Sequence, residues 1–477
     1  MLENKSISEI ILLIKSKEVL VKEVIEFYLE KINNHNPSLN AIVLQKEEEV
    51  ILEEAIAKDK QSKDKIKPLF GLPLACKDLF DVEGLPSTYG FPRFKNNIAK
   101  KNSLIVDRLQ NNGAIIIGKT NTAELGVGGH TTNRLFGPTS NAYNFSKSAA
   151  GSSGGAATAV AAGLLPFADG TDMMGSCRAP AAYANIYGFR TTTGLIPSDR
   201  SNEKKLNKLP ILTTPGCFAR TPEEMSILLD CIVGVDPLDP FSVKVDGSFK
   251  ATTLNENQFS KIKIGWLSDL SNNYEFENEI IDMCENKLND LNKYNIKIDY
   301  LNTSINYSEM WESWTTLRAK SIFDDTQSMN IKNIHEMTVQ AIWEFEKGQS
   351  IKDDHIDKAL NQKINCSKQI DKVFKMYDFL IIPSAQTFPF DKNLQFPKYI
   401  NDKQMDTYHR WIEVFIMSSL FDLPTITVPI GFNKNRLPMG MQIISKKFED
   451  LKLIAFAKRY EEIFNFSKIK PELKFSS

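Results

Sequence analysis

The sequence lacks several features that would place it in a specialised class of proteins. None of the six cysteines among its 477 residues stands in a C-x-x-C pair, so neither a zinc knuckle nor a secreted disulfide framework is expected. Basic and acidic residues nearly balance, with 58 against 59, which leaves no basic surplus for binding nucleic acid. No apolar run is long enough to cross a bilayer, and residues 1–10 lack the apolar segment of a signal peptide. The sequence therefore favours a cytoplasmic protein with no nucleic-acid or membrane partner.

Short apolar strands alternate with a helix in the N-terminal half of the chain. Residues 72–76 and 114–117 are apolar runs of strand length, and residues 103–112 between them have a helical pattern that ends at Gly113. Alternating helices and fully apolar strands are typical of a sheet that is covered by helices on both faces. We therefore expect an α/β fold around a large mixed, mostly parallel sheet.

One domain is expected over residues 1–477, because neither a fixed-period repeat nor a low-complexity linker divides the chain. The character of the sequence nevertheless changes along its length, and four parts can be distinguished. They are an N-terminal helical layer (1–60), a core that holds a lysine and two serine-containing blocks (61–235), a variable helical insertion (240–375) and a return of the core pattern (376–477).

Two patterns match motifs of other enzyme classes without the surroundings that those motifs need. Residues 113–120 fit the P-loop pattern G-x-x-x-x-G-K-[ST], but its four variable positions are Ala and three Ile, which predict a buried strand. Residues 151–155 fit the nucleophile elbow G-x-S-x-G, but residues 141–150 do not predict the strand that must precede it. His409 is the histidine best placed to act as the base of such an elbow. The five histidines of the chain show no spacing that is typical of metal ligands. A metal site is therefore not expected.

A lysine and two serine-containing blocks together indicate nucleophilic catalysis without histidine. Lys77 follows the first apolar strand, Ser152 and Ser153 precede an Ala-rich helix, and Ser176 lies in the segment 172–178, DMMGSCR. Burial at a strand end lowers the pKa of a lysine toward values that suit a base, and a serine needs a base to become a nucleophile. One serine could relay the proton to the other, and backbone N–H groups of the segment around Ser176 could bind a developing oxyanion.

These blocks resemble the signature sequences of the amidase signature family. Residues 150–156, AGSSGGA, are similar to its G-G-S-S-G-G-[SA] block, and residues 172–180, DMMGSCRAP, to its D-x-x-G-S-x-R-x-P block. Residues 71–78 and 113–121 resemble two further family segments, G-[VI]-P-x-x-x-K-D and G-A-x-x-x-G-K-T-N. The likeness extends over most of the chain outside the insertion.

The resemblance implies an α/β/α sandwich and a hydrolase that cleaves the C–N bond of carboxylic acid amides without a cofactor. Carried over to this sequence, Lys77 is the base, Ser152 is the relay serine that follows a cis peptide bond, and Ser176 is the nucleophile that forms an acyl-enzyme. The pair Asp172 and Arg178 would support the surrounding loops. The implied partner is a small-molecule amide substrate, with a homodimer as an open alternative to a monomer.

The same resemblance implies a substrate-binding role for Met173, Met174 and Gly175 beside the nucleophile. Met174 stands where most members have glycine, and Met-Met-Gly-Ser also occurs in a branch that hydrolyses small amides and nylon-type oligomers. The insertion is expected to shape the substrate pocket. The aromatic residues expected in the walls of the pocket are Trp311, Trp314, Phe388, Phe390, Tyr408 and Trp411. The cations expected near the pocket are Arg318 and Arg410.

Two alternatives remain beside a free-standing amidase. Within the family, the chain could be the amidase subunit of a glutamine-dependent tRNA amidotransferase, which needs partner subunits. An inactive member that only keeps the fold is the other alternative, and the intact Lys77, Ser152 and Ser176 disfavour it.

Overall fold

The structure, a computed structural model, describes residues 2–200, 209–331 and 333–473. The helices of these residues are α1 (Ile7–Ser16), α2 (Val21–Leu39), α3 (Glu48–Asp59), α4 (Leu104–Asn111), α5 (Gly154–Ala161), α6 (Arg178–Ala184), α7 (Pro222–Ile232), α8 (Glu256–Phe259), α9 (Leu270–Asn273), α10 (Ile280–Asn292), α11 (Tyr307–Ser328), α12 (Val339–Gln349), α13 (Asp353–Phe374), α14 (Ile416–Leu420) and α15 (Asp450–Phe464). The strands are β1 (Ile42–Gln45), β2 (Pro73–Lys77), β3 (Ile115–Thr120), β4 (Phe167–Asp172), β5 (Tyr187–Arg190), β6 (Thr214–Ala219), β7 (Lys263–Leu267), β8 (Lys297–Leu301), β9 (Phe379–Pro383), β10 (Tyr399–Ile400), β11 (Lys403–Gln404), β12 (Thr425–Phe432) and β13 (Pro438–Ser445). None of the described helices combines the length and the apolar character needed to span a bilayer.

Eight strands form one large mixed sheet in the order β4-β6-β5-β12-β13-β9-β7-β8. The α/β class predicted from the sequence is confirmed, but the prediction that most strands run parallel is wrong. In the described part of the chain, β7 pairs in parallel with β8 and β9, whereas the other five neighbouring pairs are antiparallel. Residues 433–437 between β12 and β13 are too few for a crossover, so these two central strands must form an antiparallel hairpin.

The strands that suggested parallel pairing lie in a second, three-stranded sheet of order β1-β3-β2. Strands β2 and β3 do run parallel, and β1 is antiparallel to β3. Every residue of β2 and β3 is buried, as expected for apolar runs of this length. Lys77 is the last residue of β2 and lies opposite Thr120 of β3, so the small sheet carries this charged side chain into the interior.

Helices cover both faces of the large sheet. Strands β5, β6, β9 and β13 have no exposed residue, which requires cover on each side. Helices α5 and α6 contact each other and pack against strands that include β4, β5 and β12, whereas α7 and α15 contact each other and pack against strands that include β6 and β13. This arrangement is the α/β/α sandwich that the resemblance implied.

The segment expected to be a helical insertion contains the helices α8 to α13 and also the strands β7 and β8. Both strands extend the large sheet beyond β9. Four of the five residues of β7 are buried, as expected for a strand that lies between two others. Helix α11 packs against α12, α13 and α14. The insertion is thus anchored in the sheet through β7, and α11 connects the other helices of the insertion with the C-terminal part of the core.

The glycines of the P-loop-like string at residues 113–120 are explained by close backbone packing. Gly113 has a φ of +99°, and an added Cβ would lie 2.7 Å from the Cα of Phe70. At Gly118, inside β3, an added Cβ would lie 2.0 Å from the carbonyl oxygen of Leu44 in β1. The string therefore forms a buried strand and its approach, as the sequence predicted.

We predict that Gly118→Ala lowers the free energy of unfolding by about 3 kcal/mol or more, because β1 must move away from β3 to admit a methyl group. Gly84→Ala is the matched control, since its added Cβ meets nothing within 4 Å and only the positive φ of +80° is unfavourable. That conformation costs an alanine about 1 kcal/mol. Urea unfolding followed by circular dichroism measures both variants. Equal losses would show that the contact with Leu44 does not constrain residue 118.

Candidate active site

The amino group of Lys77 is buried at the end of β2 and makes three hydrogen bonds. Nζ donates to Ser152 Oγ at 2.8 Å, to Ser153 Oγ at 2.7 Å and to Thr171 Oγ1 at 2.8 Å. The backbone N–H of Lys77 donates to Asp169 Oδ1 at 2.7 Å, which fixes the end of β2 against β4. The structure thus brings the predicted base and the predicted relay serine into direct contact.

Burial lowers the pKa of Lys77 to about 8. Removal from water penalises the ammonium form most, while Cys177, Asp169 and Asp172 nearby favour that form and limit the shift. An exposed lysine has a pKa of about 10.4 and is almost entirely protonated near neutral pH. The buried amino group of Lys77 instead has a sizeable neutral fraction in mildly alkaline solution, so it can accept a proton there.

The peptide bond between Gly151 and Ser152 is cis, as the family resemblance implied. The carbonyl oxygen of Ser152 accepts hydrogen bonds from the N–H of Ala123 and from Thr131 Oγ1, both at 3.1 Å. Thr131 Oγ1 also accepts a hydrogen bond from the N–H of Gly154 at 2.7 Å, at the start of α5. These contacts fix the backbone on both sides of Ser152 and hold its hydroxyl toward the lysine.

The geometry gives no support to a nucleophile elbow at residues 151–155. Ser153 Oγ accepts a hydrogen bond from Lys77 and donates one to the carbonyl oxygen of Thr171 at 3.4 Å. His409 is buried within an aromatic cluster, and neither of its ring nitrogens has a hydrogen-bond partner among the described residues. Ser153 therefore has a lysine, rather than a histidine, as its neighbour.

A buried ion pair fixes the segment that carries Ser176. Asp172, at the end of β4, accepts hydrogen bonds from Nε and Nη2 of Arg178 at 3.0 and 2.8 Å. The same carboxylate accepts hydrogen bonds from the N–H of Gly175 at 3.0 Å and from that of Cys177 at 3.1 Å. Burial alone would raise the pKa of Asp172, but Arg178, Arg190 and the N–H of Cys177 together hold the pKa well below its usual range. The carboxylate therefore stays charged and closes the segment into a fixed loop.

The backbone conformation of this loop requires glycine at position 175 and accommodates methionine at position 174. Gly175 has a φ of +83°, and a Cβ there would lie 2.3 Å from the ring of Phe415, so glycine is required. Met174, which stands where the family usually has glycine, is not among the residues with positive φ, so it carries no strain of that kind. The N–H groups of Met173, Met174 and Ser176 donate no hydrogen bond within the described part of the chain. They remain available to an oxyanion, whereas the N–H of Gly175 is taken by the carboxylate.

Ser152 and Ser176 line the same cavity, which has a volume of about 280 Å³. Thr171 and Met173 lie beside them in its lining, and helix α11 contributes Arg318. Apolar side chains form much of the remaining wall, and these are Leu79, Leu125, Val127, Ile322 and Met329. The structure thus places both predicted catalytic serines at one cavity that can hold a small molecule.

The prediction that aromatic side chains form the walls of the pocket is wrong. Within the described residues, the cavity lining contains none of Trp311, Trp314, Phe388, Phe390, Tyr408 and Trp411. Trp314 lies one helical turn before Arg318 on α11, which displaces it along the helix by about 6 Å, and it packs into the core without exposure. Among the described residues, the aromatic side chain that does line the cavity is Tyr89.

The two methionines beside the nucleophile face different surroundings. Met173 lines the cavity, whereas Met174 is 4% exposed and packs into the hydrophobic core. Met174 therefore does not line the pocket, contrary to expectation.

Both arginines considered as clamps for a charged substrate are already paired. Arg410 donates hydrogen bonds to Asp406 and Glu413 at 2.8 Å, and it is not part of the cavity lining. Arg318 does line the cavity, but its Nε donates to Glu344 at 2.7 Å. Neither guanidinium is an unpaired cation.

Two threonines that the sequence did not single out complete the site. Thr171 accepts a hydrogen bond from Lys77, and Thr131 holds the backbone around Ser152. A usable signal existed for Thr171, because it directly precedes the signature residue Asp172 on a strand. Thr131 lies in an irregular loop, where no pattern in one sequence marks it.

The residues of this site lie within a segment that matches a known protein family. The family described as Amidase matches residues 23–454. The chain is similar to an acylamidase of Rhodococcus erythropolis, with 29% identity over 472 residues that cover 98% of this chain and 97% of that protein. It is also similar to one of the subunits of glutamyl-tRNA(Gln) amidotransferase from Prochlorococcus marinus, with 29% identity over 497 residues that cover 97% of this chain and 98% of that protein.

Among solved structures, the chain matches a bacterial aryl acylamidase of the amidase signature family with a TM-score of 0.89. The two chains are 27% identical, and the match covers 97% of each. The family match spans nearly the whole chain and contains the lysine, both serines and the ion pair described above. The chain belongs to the amidase signature family of amide hydrolases.

Proposed function

We propose that this protein is an amidase that hydrolyses carboxylic acid amides to a carboxylate and ammonia or an amine through an acyl-enzyme on Ser176. The observation that carries the proposal is the 2.8 Å hydrogen bond from Lys77 Nζ to Ser152 Oγ, beside a cavity that Ser152 and Ser176 both line. A proton relay to a nucleophile requires a desolvated base, an intervening hydroxyl and a second hydroxyl within reach of the substrate. We assign these three roles to Lys77, Ser152 and Ser176, respectively.

In the acylation step, the neutral amino group of Lys77 accepts the proton of Ser152. Ser152 in turn accepts the proton of Ser176, whose oxygen attacks the carbonyl carbon of the amide. The tetrahedral intermediate then collapses with cleavage of the C–N bond, and the proton returns through Ser152 to the leaving nitrogen. Ammonia or an amine departs, and the acyl group stays on Ser176 as an ester. Water attacks this ester through the same relay, and release of the acid restores the enzyme.

Ser153 and Thr171 orient the base in this scheme. A neutral lysine keeps two N–H donors and one lone pair on Nζ, whereas the ammonium form has three donors. The hydroxyl oxygens of Ser153 and Thr171 accept from Nζ at 2.7 and 2.8 Å. When these two hydroxyls hold the remaining protons, the lone pair points at the third neighbour, Ser152 Oγ. The contacts therefore favour transfer of the proton from Ser152.

The backbone of the nucleophile loop supplies the donors for the oxyanion. We assign this role to the N–H groups of Met173, Met174 and Ser176, which have no acceptor among the described residues. Donors that are fixed before the reaction stabilise the developing charge without a cost of reorganisation. The ion pair of Asp172 with Arg178 holds the loop in place, so it acts on the rate through the position of these donors.

Small neutral amides are the substrate class that the cavity favours. Its lining is largely apolar, and its volume of about 280 Å³ lies just below the range of sites for drug-sized ligands. Arg318, the cation in the described part of its wall, is paired with Glu344. Similarity to an acylamidase and to an aryl acylamidase supports aliphatic and aryl amides as substrates.

The amidase subunit of a glutamine-dependent tRNA amidotransferase is a second candidate function. Relatives that are subunits of glutamyl-tRNA(Gln) amidotransferases are 26% to 29% identical to this chain. A subunit with this role must hold both the α-ammonium and the α-carboxylate of glutamine. Asp325 lines the cavity and could face an ammonium group. Arg318 is already paired with Glu344, so the carboxylate would find no unpaired arginine or lysine among the described residues of the lining. The free-standing amidase is therefore preferred.

We predict that Lys77→Arg lowers kcat/KM by about 100- to 10,000-fold, because a guanidinium stays protonated at working pH and cannot act as a base. In the unaltered protein, the rate should rise with pH through about 8, as the amino group of Lys77 loses its proton. Initial rates measured across this pH range test both statements.

Lys119→Arg is the matched control for this substitution. Lys119 is also a fully buried lysine, on the neighbouring strand β3, but its Nζ pairs with Asp78 at 3.1 Å and not with a serine. This variant should keep the pH profile of the unaltered protein. A Lys77→Arg variant that retained most of its amide hydrolysis would rule out the proposed relay.

We predict that the purified chain alone releases ammonia or an amine from neutral amides, while glutamine is a poor substrate. The value of kcat/KM should rise about fourfold for each added acyl methylene until the cavity is full, because each buried methylene contributes about 0.8 kcal/mol. Ammonia release from a homologous series of aliphatic amides, and amine release from anilides, measure this trend. Ser176→Ala serves as the blank for contaminating amidases. No turnover of any neutral amide, with glutaminase activity only after partner subunits are added, would favour the amidotransferase.

A further inference from the structure

A buried network of three side chains lies behind the wall of the cavity. It consists of Arg318 on α11, Glu344 on α12 and Tyr408, which precedes α14. Arg318 Nε donates to Glu344 Oε1 at 2.7 Å, and its Nη2 donates to the hydroxyl of Tyr408 at 3.0 Å. The hydroxyl of Tyr408 donates to the same carboxylate oxygen. All three residues are at most 7% exposed, so their charges act on one another in a medium of low polarity.

Arg318 is the member of this network that reaches the cavity. It lines the cavity together with Met173, and its Nη1 donates to the sulfur of Met173 at 2.9 Å. Met173 belongs to the loop that carries Ser176. A substrate bound to Ser176 is therefore within reach of the guanidinium.

The negative charge of Glu344 is not needed for the hydrogen bonds that it makes. Its Oε1 accepts from both partners, whereas its Oε2 is buried without a hydrogen-bond partner among the described residues. A neutral glutamine could offer one oxygen to Arg318 and Tyr408 in the same way. What a carboxylate adds at this position is a charge that offsets the charge of Arg318.

On the basis of the proposed function, we propose that Glu344 is a specificity-determining residue that keeps the cavity selective for neutral amides by neutralising Arg318. An anionic substrate group would have to compete with Glu344 for the guanidinium. Once the charge of Glu344 is removed, Arg318 becomes an unpaired cation that can bind a carboxylate through two N–H groups. Removal of Arg318 instead leaves a buried negative charge, which attracts an ammonium group. Asp325, a carboxylate in the described part of the cavity lining, is the same in every variant compared.

Three ligands with the same five-carbon chain separate these effects of charge. They are pentanamide, which is neutral, glutaramate, which carries a carboxylate, and 5-aminopentanamide, which carries an ammonium group. Calorimetry measures their binding in a Ser176→Ala background, so the result does not depend on turnover. Glu344→Gln should improve the affinity for glutaramate relative to pentanamide by at least about tenfold. Arg318→Gln should improve the affinity for 5-aminopentanamide relative to pentanamide by a similar factor.

Glu413→Gln is the matched control for the loss of a buried carboxylate. Glu413 is paired with Arg410 at 2.8 Å, and neither residue belongs to the cavity lining. This variant should leave the relative affinities of the three ligands unchanged. Because the two test variants predict opposite preferences, either one suffices if the other does not fold.

Two outcomes would overturn the role of Glu344. One is a change of all three affinities by a common factor in the test variants, which indicates a purely structural contribution. The other is the absence of binding for every ligand. A protein that shows the expected charge preferences but hydrolyses no amide would instead contradict only the proposed function.

Discussion

The buried amino group of Lys77 is the constraint on which the rest of the site depends. A polar group without access to water must have hydrogen-bond partners inside the protein, and this one has Ser152, Ser153 and Thr171. Lys77 ends a strand of the small sheet, the two serines precede α5, and Thr171 belongs to a strand of the large sheet. The two sheets and the helix therefore meet around one nitrogen atom. The same burial that demands these partners also lowers the pKa of the lysine, so the requirements of folding and of catalysis coincide.

A second buried charge connects the nucleophile loop with the C-terminal part of the chain. Arg178 binds Asp172 through Nε and Nη2, and its Nη1 donates to Gln442 Oε1 at 2.6 Å and to the carbonyl oxygen of Phe415 at 3.1 Å. The guanidinium thus holds three segments that are far apart in the sequence. Loss of Asp172 would leave the buried guanidinium of Arg178 without its carboxylate partner. The loop that carries Ser176 is fixed by this arrangement, although the residues of the arrangement need not touch the substrate.

The sequence predicted the parts of the site that lie within local motifs, and it failed where long-range packing decides. Lys77, Ser152 and Ser176 could be named because each stands in a short block of fixed spacing. The directions of β12 and β13 relative to β5 and β9 could not be predicted, because those pairings join residues that are far apart in the chain. The pocket walls were predicted wrongly for the same reason. The pattern of α11 indicates a buried face, but not that Arg318 reaches the cavity while Trp314 packs into the core.

During the proposed reaction, the acyl group of the substrate is bound as an ester to the hydroxyl oxygen of Ser176. The most direct measurement mixes the protein with an activated p-nitrophenyl ester of a small acid, quenches the reaction with acid, and locates the acyl group by peptide mass spectrometry. The account predicts an acyl adduct on Ser176 that forms at the rate of the first p-nitrophenol release and is absent from Ser176→Ala. An adduct on Ser153 or Ser152, or steady turnover by Ser176→Ala at the rate of the unaltered protein, would contradict it.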